Sequence, residues 1–521
     1  MIRLAAALAA LALSAPLAAA QEQRPSEEEL FGAPAKEEKP PAPPKEAPSG
    51  ASAGEPAKGD RDQEMFGSTG SPNAVPPPPQ GIITREKEDP LRVGGMLYLR
   101  SQLVAQQDAS PGDWRLASPN LLDVFLDARP NDRVRAFALG RLSYDPTLDG
   151  AASFQGLPPS VVQQLGLTQA NPRGNLDQLW VNFDVGRTVF VTAGKQHVKW
   201  GVGRLWTPSD FLHREPRNPL DPFDARTGVT MVKAHLPWEA RGWNAYGVAL
   251  LEDPRYGGGT AAGTAAGVPV GGRGEIVLGT VEIGADVLAG KGARTRYGVD
   301  VSAGVWDFDM HAEAAFGAGR ARWRLQDPAA PIYAGRYVLE QPDRLSPQVV
   351  VGGTWVAKYS DEDAVTVGAE YFFQDAGYED PHVYPFLFFG APLLQVSPGP
   401  PPTASLVRQD PAAFTSFHLG RHYAGAFVLL PSPGSWNDTS FTLSVLANLS
   451  DKSAVIRLDH SVLVLTYLRV ETFVQGHVGA HGGEFRFAFD VPPEIASALG
   501  AQPFGVKAPV VDVGLALRVS L

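Results

Sequence analysis

From Leu91 to the last residue, apolar side chains alternate with polar or small ones in segment after segment. Residues 294–306 are typical: one set of alternate positions is polar or small (Arg296, Asp300, Ser302, Gly304), and the intervening set is apolar (Tyr297, Val299, Val301, Ala303, Val305). Successive side chains of a β-strand point to opposite faces. The pattern therefore predicts strands with one apolar face and one polar face.

The same alternation can be followed to the end of the chain and divided into 18 strands. A count of 16 also fits, since strand boundaries read from sequence shift by several residues. The predicted strands start near Leu91, Asn120, Arg133, Asn175, Thr188, Val229, Gly242, Arg273, Ala285, Thr295, Asp309, Pro347, Ala364, Gly420, Thr439, Ala454, Arg469 and Pro509.

The segments between these strands alternate between short and long. Residues 129–132 and 185–187 leave room only for tight turns, whereas residues 145–174, 199–228 and 375–419 are long. A soluble β-sandwich also has alternating strands, but short turns at one end and long loops at the other are typical of membrane barrels. We therefore predict an all-β fold in which residues 89–521 form a transmembrane antiparallel β-barrel.

Two N-terminal segments differ in composition from the barrel. Residues 1–20 combine Arg3, an apolar stretch and small residues before Gln21, which predicts a cleaved signal peptide. Residues 21–88 are rich in Pro, Glu and Lys with few large apolar side chains, which predicts a disordered tail. Together these features predict a protein of the Gram-negative outer membrane whose tail lies in the periplasm.

A short motif occurs twice in the predicted tail. Glu29 and Glu64 are each followed by an apolar residue, a phenylalanine and a glycine. Aromatic anchors in a polar segment suit a peptide that folds on binding a partner, although coincidence of composition explains the repeat equally well. The predicted docking residues are Leu30, Phe31, Gly32, Met65, Phe66 and Gly67.

Many positions on the polar face of the predicted strands are charged. A barrel of this size has an interior too wide for apolar side chains to fill, so a wet lumen is expected. These charges either sort solutes or simply pair across neighbouring strands. The predicted lumen charges are Arg133, Arg135, Arg141, Arg296, Asp300, Glu313, Glu370, Arg457, Arg469 and Glu471.

The most distinctive segment begins at Gly194 and continues as a loop rich in Gly, Trp and Pro. The segment contains the pattern G-[KR]-Q-x-x-x-W-G over 194–201 and W-x-P-x-D over 206–210. It resembles porin-like outer-membrane proteins of Gram-negative bacteria and, more distantly, alginate-export-type barrels. The matching motif covers only about 35 residues, and the chain ends in Leu521 where such barrels usually have an aromatic residue.

A loop of this composition can fold inward and narrow a pore. Trp200 and Trp206 suit stacking on sugar rings, while the alternative is that the loop only plugs and braces the barrel. The predicted constriction or ligand-contact residues are Lys195, Gln196, Trp200, Arg204, Trp206, Asp210, Asp221, Asp224 and Arg226.

Catalytic and metal sites are not predicted. The chain has no cysteine. The spacing of His477, His481 and Glu484 resembles that of metal ligands, but these residues lie in a Gly-rich loop, which preorganises ligands poorly. No catalytic motif of a hydrolase or nucleotide-binding enzyme is found. We therefore expect no enzymatic activity, no cofactor and no metal.

Two functions remain open at this point. One is an outer-membrane channel, porin or exporter of small solutes or polysaccharide, working with periplasmic partners through its tail. The other is a structural barrel that anchors an envelope-spanning secretion or motility machine without transport of its own. The expected partners are outer-membrane lipid, the barrel-assembly machinery and a periplasmic protein; the net charge of −11 gives no reason to expect nucleic acid.

Overall fold

A computed structural model describes most of the chain after residue 89. The described residues are 90–148, 170–213, 216–224, 226–251, 268–290, 293–318, 321–330, 335–340, 342–360, 363–390, 414–491, 493–498 and 501–521. The predicted signal peptide, tail and docking motif therefore lie outside the described residues.

The strands, in chain order, are β1 (Leu91–Gln106), β2 (Arg115–Ala117), β3 (Asn120–Asn131), β4 (Val134–Tyr144), β5 (Arg173–Val185), β6 (Val189–Gln196), β7 (Val229–Trp238), β8 (Trp243–Leu250), β9 (Val270–Leu278), β10 (Val281–Gly290), β11 (Ala293–Val305), β12 (Phe308–Ala318), β13 (Arg322–Leu325), β14 (Tyr337–Glu340), β15 (Leu345–Lys358), β16 (Ala364–Gln374), β17 (His422–Pro431), β18 (Thr439–Asn448), β19 (Ser453–Leu465), β20 (Leu468–Gly479), β21 (Phe489–Asp490), β22 (Gly505–Val506) and β23 (Pro509–Ser520).

Eighteen of these strands form one closed antiparallel barrel. Each long strand pairs with the next along the chain, and β1 closes the wall by pairing with β23 in a register that places Leu97 opposite Val519. The short β2 pairs only with β1, while β13–β14 and β21–β22 form separate two-stranded sheets in the loops. The predicted count of 18 is confirmed, and the largest error in a start is four residues, at Ala285 against Val281.

Helical segments also occur among the described residues. They are the 3-10 turns Pro111–Asp113, Glu239–Arg241, Pro381–Val383 and Glu484–Arg486, the π-helical turn Phe386–Gly390, and the short helix α1 (Pro493–Ala498). In the described part of the chain, no helix is long and apolar enough to cross a membrane.

The two ends of the barrel differ, as the sequence predicts. At the short-turn end, β5–β6 and β11–β12 are joined by two or three residues; at the long-loop end, β4–β5, β6–β7 and β16–β17 are joined by far longer segments. The outer face is apolar: on β11, Val299 and Val301 are 48% and 36% exposed, whereas the inward Asp300 between them in the sequence is 3% exposed. An apolar outer wall of paired strands is the form in which a sheet can span a bilayer.

Candidate functional site

The segment between β6 and β7, residues 197–228, turns into the barrel and is called the inner loop below. Its first half is held by the carboxylate of Glu313 on β12. That carboxylate accepts hydrogen bonds from the backbone N–H groups of Val202 at 2.9 Å, Gly203 at 3.0 Å and Ser209 at 2.6 Å. Glu313 is 1% exposed, so the charge is compensated by backbone donors rather than by water.

A second wall carboxylate repeats this arrangement on β16. Glu370 accepts from the N–H groups of Arg204 at 2.5 Å, Leu205 at 2.9 Å and Trp206 at 3.3 Å. His311 on β12 lies 2.8 Å from the same carboxylate. Two glutamates therefore hold six backbone amides of a loop that has no regular secondary structure of its own, and both belonged to the predicted set of lumen charges.

Apolar contacts fill the space on one side of the inner loop. Trp200, Phe211 and Leu212 pack against inward side chains of β7, β8, β10 and β12, among them Met231 and Leu288. The guanidinium of Arg296 lies over the Phe211 ring at 6.0 Å. This half of the lumen is therefore a packed core and not a water-filled space.

The inner loop crosses to the opposite wall. Trp206 stacks on Phe372 of β16 with ring centroids 5.6 Å apart, and its indole N–H donates to the carbonyl oxygen of Phe417 at 3.1 Å. In the order of strand pairing, β16 is eight strands from β6 in a wall of eighteen. The loop thus spans the lumen and divides it.

Burial decides the role of the two tryptophans. Trp200 is 2% exposed and Trp206 is 1% exposed, so neither ring face is open to a solute. The prediction that these rings stack on sugars is wrong, and the alternative of a bracing loop holds for them. Arg204 is also buried.

Two other predicted contact residues do not reach an open lumen. Gln196 is buried and donates to the carbonyl oxygen of Thr192 at 3.2 Å, so it fastens the end of β6 to the wall. Lys195 lies on the other face of β6, opposite Leu179 and Thr230 in register. The prediction that Lys195 lines the constriction is wrong because strand alternation turns it outward.

The second half of the inner loop is a compact network of charges. Arg226 bonds to Asp210 at 3.0 Å and to Asp224 at 2.6 Å, and His213 lies 3.0 Å from Asp210. Burial alone would raise the pKa of Asp210 and of Asp224, but the neighbouring His213 and Arg226 outweigh it and lower both. These three predicted residues stabilise the loop itself.

The last part of the inner loop, residues 216–228, is called the returning arm. It contacts the wall at β1 and β5. Phe223 meets the ring of Tyr98 on β1 edge to face at 5.1 Å, and the N–H of Gly228 donates to Asp177 on β5 at 3.1 Å. His197, at the start of the loop, also bonds to Asp177 at 3.0 Å. Asp177 therefore ties both ends of the loop to β5.

Most of the predicted lumen charges pair with other side chains of the wall: Arg457 pairs within β19, Asp300 on β11 pairs with Arg273 two strands away on β9, and the others pair across neighbouring strands. Arg135 bonds to Asp127, Arg141 to Asp123, Asp300 to Arg273, Arg457 to Asp459, Glu471 to Arg518 and Arg133 to Asp184. The alternative of simple pairing is therefore correct for these residues, and their partners were mostly absent from the prediction.

Three arginines of the lumen have no carboxylate within ion-pair distance among the described residues. Arg100 on β1 bonds to Gln102 at 2.7 Å, Arg469 on β20 bonds to Ser461 at 3.1 Å, and Arg115 on β2 has only a distant Asp512. All three lie on the wall that the inner loop does not fill. Of these, only Arg469 was predicted; the alternation of Met96, Tyr98, Arg100 and Gln102 marks Arg100 as inward and was the available signal.

A cavity of about 400 Å³ separates the returning arm from this wall. Asp221 and Phe223 of the arm line one side, and Tyr98, Arg100 and Arg141 line the other. Asp221 is thus a predicted contact residue that lines an open space. Burial raises the pKa of its carboxyl group, with Arg100 opposing the shift.

Loops at the long-loop end continue the packing above the inner loop. Glu484 is buried and accepts hydrogen bonds from the Phe417 N–H, the Tyr423 hydroxyl at 2.5 Å and the Asn448 amide at 2.8 Å. His477 is committed to Asp512 and to the Phe485 carbonyl oxygen. Within the described ranges, no group of His, Asp and Glu side chains is arranged to hold a metal ion.

No family model matches the chain, and no curated protein matches its sequence. Solved structures that include porins are similar to it at low sequence identity. The Salmonella typhi OmpF complex with daunomycin is 7% identical with a TM-score of 0.39, covering 83% of this chain and 97% of that one. Acinetobacter baumannii OccAB3 is 9% identical with a TM-score of 0.44, covering 83% and 99% respectively.

Proposed function

We propose that the protein is an outer-membrane channel that passes small anionic solutes along one wall of its lumen. The observation that carries the proposal is the set of unpaired arginines Arg100, Arg115 and Arg469 on the wall that the inner loop leaves unfilled. An unpaired cation in a confined, wet space attracts anions, because low-dielectric walls concentrate its field.

The inward carboxylates of β10, β11, β12 and β16 oppose the field of these arginines only weakly. Glu313 and Glu370 are covered by backbone amides of the inner loop, and Asp300 and Asp286 share Arg273. These carboxylates are compensated and buried, so they contribute little to the potential in the open part of the lumen. Among the described residues of the open part, three arginines without an ion pair outnumber the one such carboxylate, Asp221, so the conduit is basic on balance.

A fixed crossing loop favours small solutes over a polysaccharide chain. The inner loop is held by six backbone hydrogen bonds to two carboxylates, each worth roughly 1.5–3 kcal/mol. With the loop fixed in this way, the open path for a solute lies beside the returning arm. Export of a polymer would require a wider path than this arrangement offers.

Ion selectivity in planar bilayers tests the proposal. The purified protein is expected to conduct and, in a KCl gradient, to have a reversal potential displaced toward that of chloride. Replacing the three unpaired arginines (R100Q, R115Q and R469Q together) is expected to remove the anion preference. R133Q is the matched control, because Arg133 is paired with Asp184 and lies at the short-turn end.

Two outcomes would contradict the proposal, the first its channel and the second its anion selectivity. A protein that stays silent even after deletion of residues 199–228 is a closed structural barrel. A conducting protein with cation preference would refute the role of the arginines.

A second proposal concerns the N-terminal tail. The repeated motif at Phe31 and Phe66 favours a periplasmic docking role, in which the barrel anchors a larger envelope assembly. This role is compatible with transport, since it uses a part of the chain outside the barrel.

A further inference from the structure

The cavity beside the returning arm is lined by two charged side chains that form no ion pair with any described residue. Arg100 has a buried Nε without a hydrogen-bond partner and no carboxylate within ion-pair distance. Asp221, on the facing arm, makes no side-chain hydrogen bond and no ion pair with any described residue. The two groups therefore face one cavity without bonding to each other.

The other charged groups around the cavity are already committed. Arg141 is held by Asp123 and Asp177, and Asp177 also by His197 and the Gly228 N–H. Asp145 is held by the N–H groups of Ser118 and Thr147, and Arg173 donates to the Asn175 side chain at 3.3 Å and has a further contact. These bonds fix the walls and leave little capacity for a ligand. The open binding capacity is one cation and one anion.

The remaining lining suits a compact molecule with an apolar part. Tyr98 and Phe223 form an aromatic corner, with ring centroids 5.1 Å apart, and Leu121 and Pro222 extend it. A volume of about 400 Å³ lies within the range of small-molecule sites. Arg100 is also positioned over the Phe473 ring at 4.9 Å, which holds its guanidinium in place.

We infer that this cavity is a binding site for a small zwitterion of amino-acid type, with its carboxylate at Arg100, its ammonium at Asp221 and its side chain against Tyr98 and Phe223. A buried charge without a partner is costly. A ligand that supplies both counter-charges removes the cost at both residues at once. The inference rests on the proposed function in one respect, that the solute reaches the cavity through the conduit.

Three probes separate the two charges. Phenylalanine carries both groups, 3-phenylpropanoate carries only the carboxylate, and phenethylamine carries only the ammonium. Calorimetric titration of the full chain in detergent at neutral pH is expected to give the tightest binding for phenylalanine. R100Q is expected to weaken phenylalanine and 3-phenylpropanoate by about tenfold or more, and D221N to weaken phenylalanine and phenethylamine similarly.

A matched control and a folding check make the result interpretable. R133Q removes an arginine that is paired with Asp184 and does not line the cavity, and it is expected to leave all three affinities unchanged. Each variant is first checked for the heat-modifiable gel migration of a folded barrel. The inference is overturned when phenylalanine does not bind the wild-type protein, or when R100Q and D221N affect the three probes alike.

Conductance of the same preparations separates this inference from the proposed function. Binding of phenylalanine by a protein that does not conduct would contradict the channel and leave the site intact. Conductance without binding would contradict the site and leave the channel intact.

Discussion

Two glutamates hold the loop that gives the lumen its shape. Glu313 and Glu370 each accept three backbone N–H groups, which uses both oxygens of each carboxylate. A glutamine at either position would replace one acceptor oxygen with an NH₂ group that faces N–H donors. At each position, at least one bond is lost and one donor–donor repulsion is created.

The double variant E313Q/E370Q is therefore expected to release the inner loop. The loss is on the order of 1.5–3 kcal/mol per broken bond. Limited proteolysis should show new cleavage within residues 197–228, and single-channel conductance should increase and become noisier. E471Q is the control, since Glu471 pairs with Arg518 of the wall and not with the loop; a protected loop in the double variant would contradict the role of the glutamates.

Glu484 predicts a pH dependence for the loops at the long-loop end. Burial raises the pKa of Glu484 to about 8, whereas an unfolded glutamate titrates near about 4.3. Because the folded pKa is the higher one, the contribution to stability is fully present below about pH 4 and is lost as pH rises through about 8. The change is at most about 5 kcal/mol, because each unit of difference between the folded and unfolded pKa corresponds to about 1.4 kcal/mol.

Hydrogen exchange measures this effect directly. After correction for the intrinsic rate, protection of the amides of Phe417 and Phe485 is expected to fall between pH 5 and pH 8 in the wild type. E484Q is expected to flatten the dependence, and E379Q, at an exposed ion pair with Arg421, is expected to leave it unchanged. A flat wild-type profile would mean that Glu484 is ionised throughout.

At the scale of the element, glycine permits the tight path of the inner loop. Gly201 has a φ of +90°, and a Cβ there would also meet the Glu313 carboxylate. A Cβ on Gly203 would overlap the backbone carbonyl oxygen of Trp206. The close approach that lets one carboxylate reach several N–H groups therefore requires glycine at both positions.

The substitution G203A is expected to displace the loop from both glutamates. A clash with backbone is not relieved by a side-chain rotation, so a cost of about 2–4 kcal/mol is expected. Thermal unfolding and the same proteolysis assay measure it. G274A is the control, because a Cβ on this strand glycine would have no neighbour within 4 Å. Equal behaviour of the two variants would show that the loop adapts.

At the scale of the whole molecule, the wall and the loops divide the lumen into a packed part and an open part. The inner loop fills the side of β7–β12 with Trp200 and Phe211, and its tip at Trp206 joins the loops above through Phe417. The open part lies by β1, β3 and β4, where the cavity is found. Selectivity is therefore expected to depend on charges of a few strands rather than of the whole barrel.

The repeated motif of the tail predicts that the whole protein binds a periplasmic partner. Replacing Phe31 and Phe66 by alanine is expected to abolish capture of a periplasmic partner, because aromatic anchors contribute most of the energy of such peptides. Cross-linking in the periplasm, with conductance as the control, tests it. Unchanged cross-links would contradict the docking motif, and unchanged conductance is expected in either case.

The alternation of apolar and polar residues was sufficient to predict the wall. Eighteen strands, their order and the two unlike ends follow from a period of two and from segment lengths, both local properties of the chain. The inner loop could also be located, since Gly201, Gly203 and Trp206 stand out between two strands.

Which charges stay unpaired was decided only by the tertiary structure. Glu313 and Arg100 look alike in the sequence, as charged residues on the inward face of a strand. The fold brings six loop amides to Glu313 and Glu370 and brings no carboxylate to Arg100. Pairing depends on contacts between residues more than 100 positions apart, which no local period encodes, and the same contacts bury Trp200 and Trp206 and leave Asp221 facing the cavity.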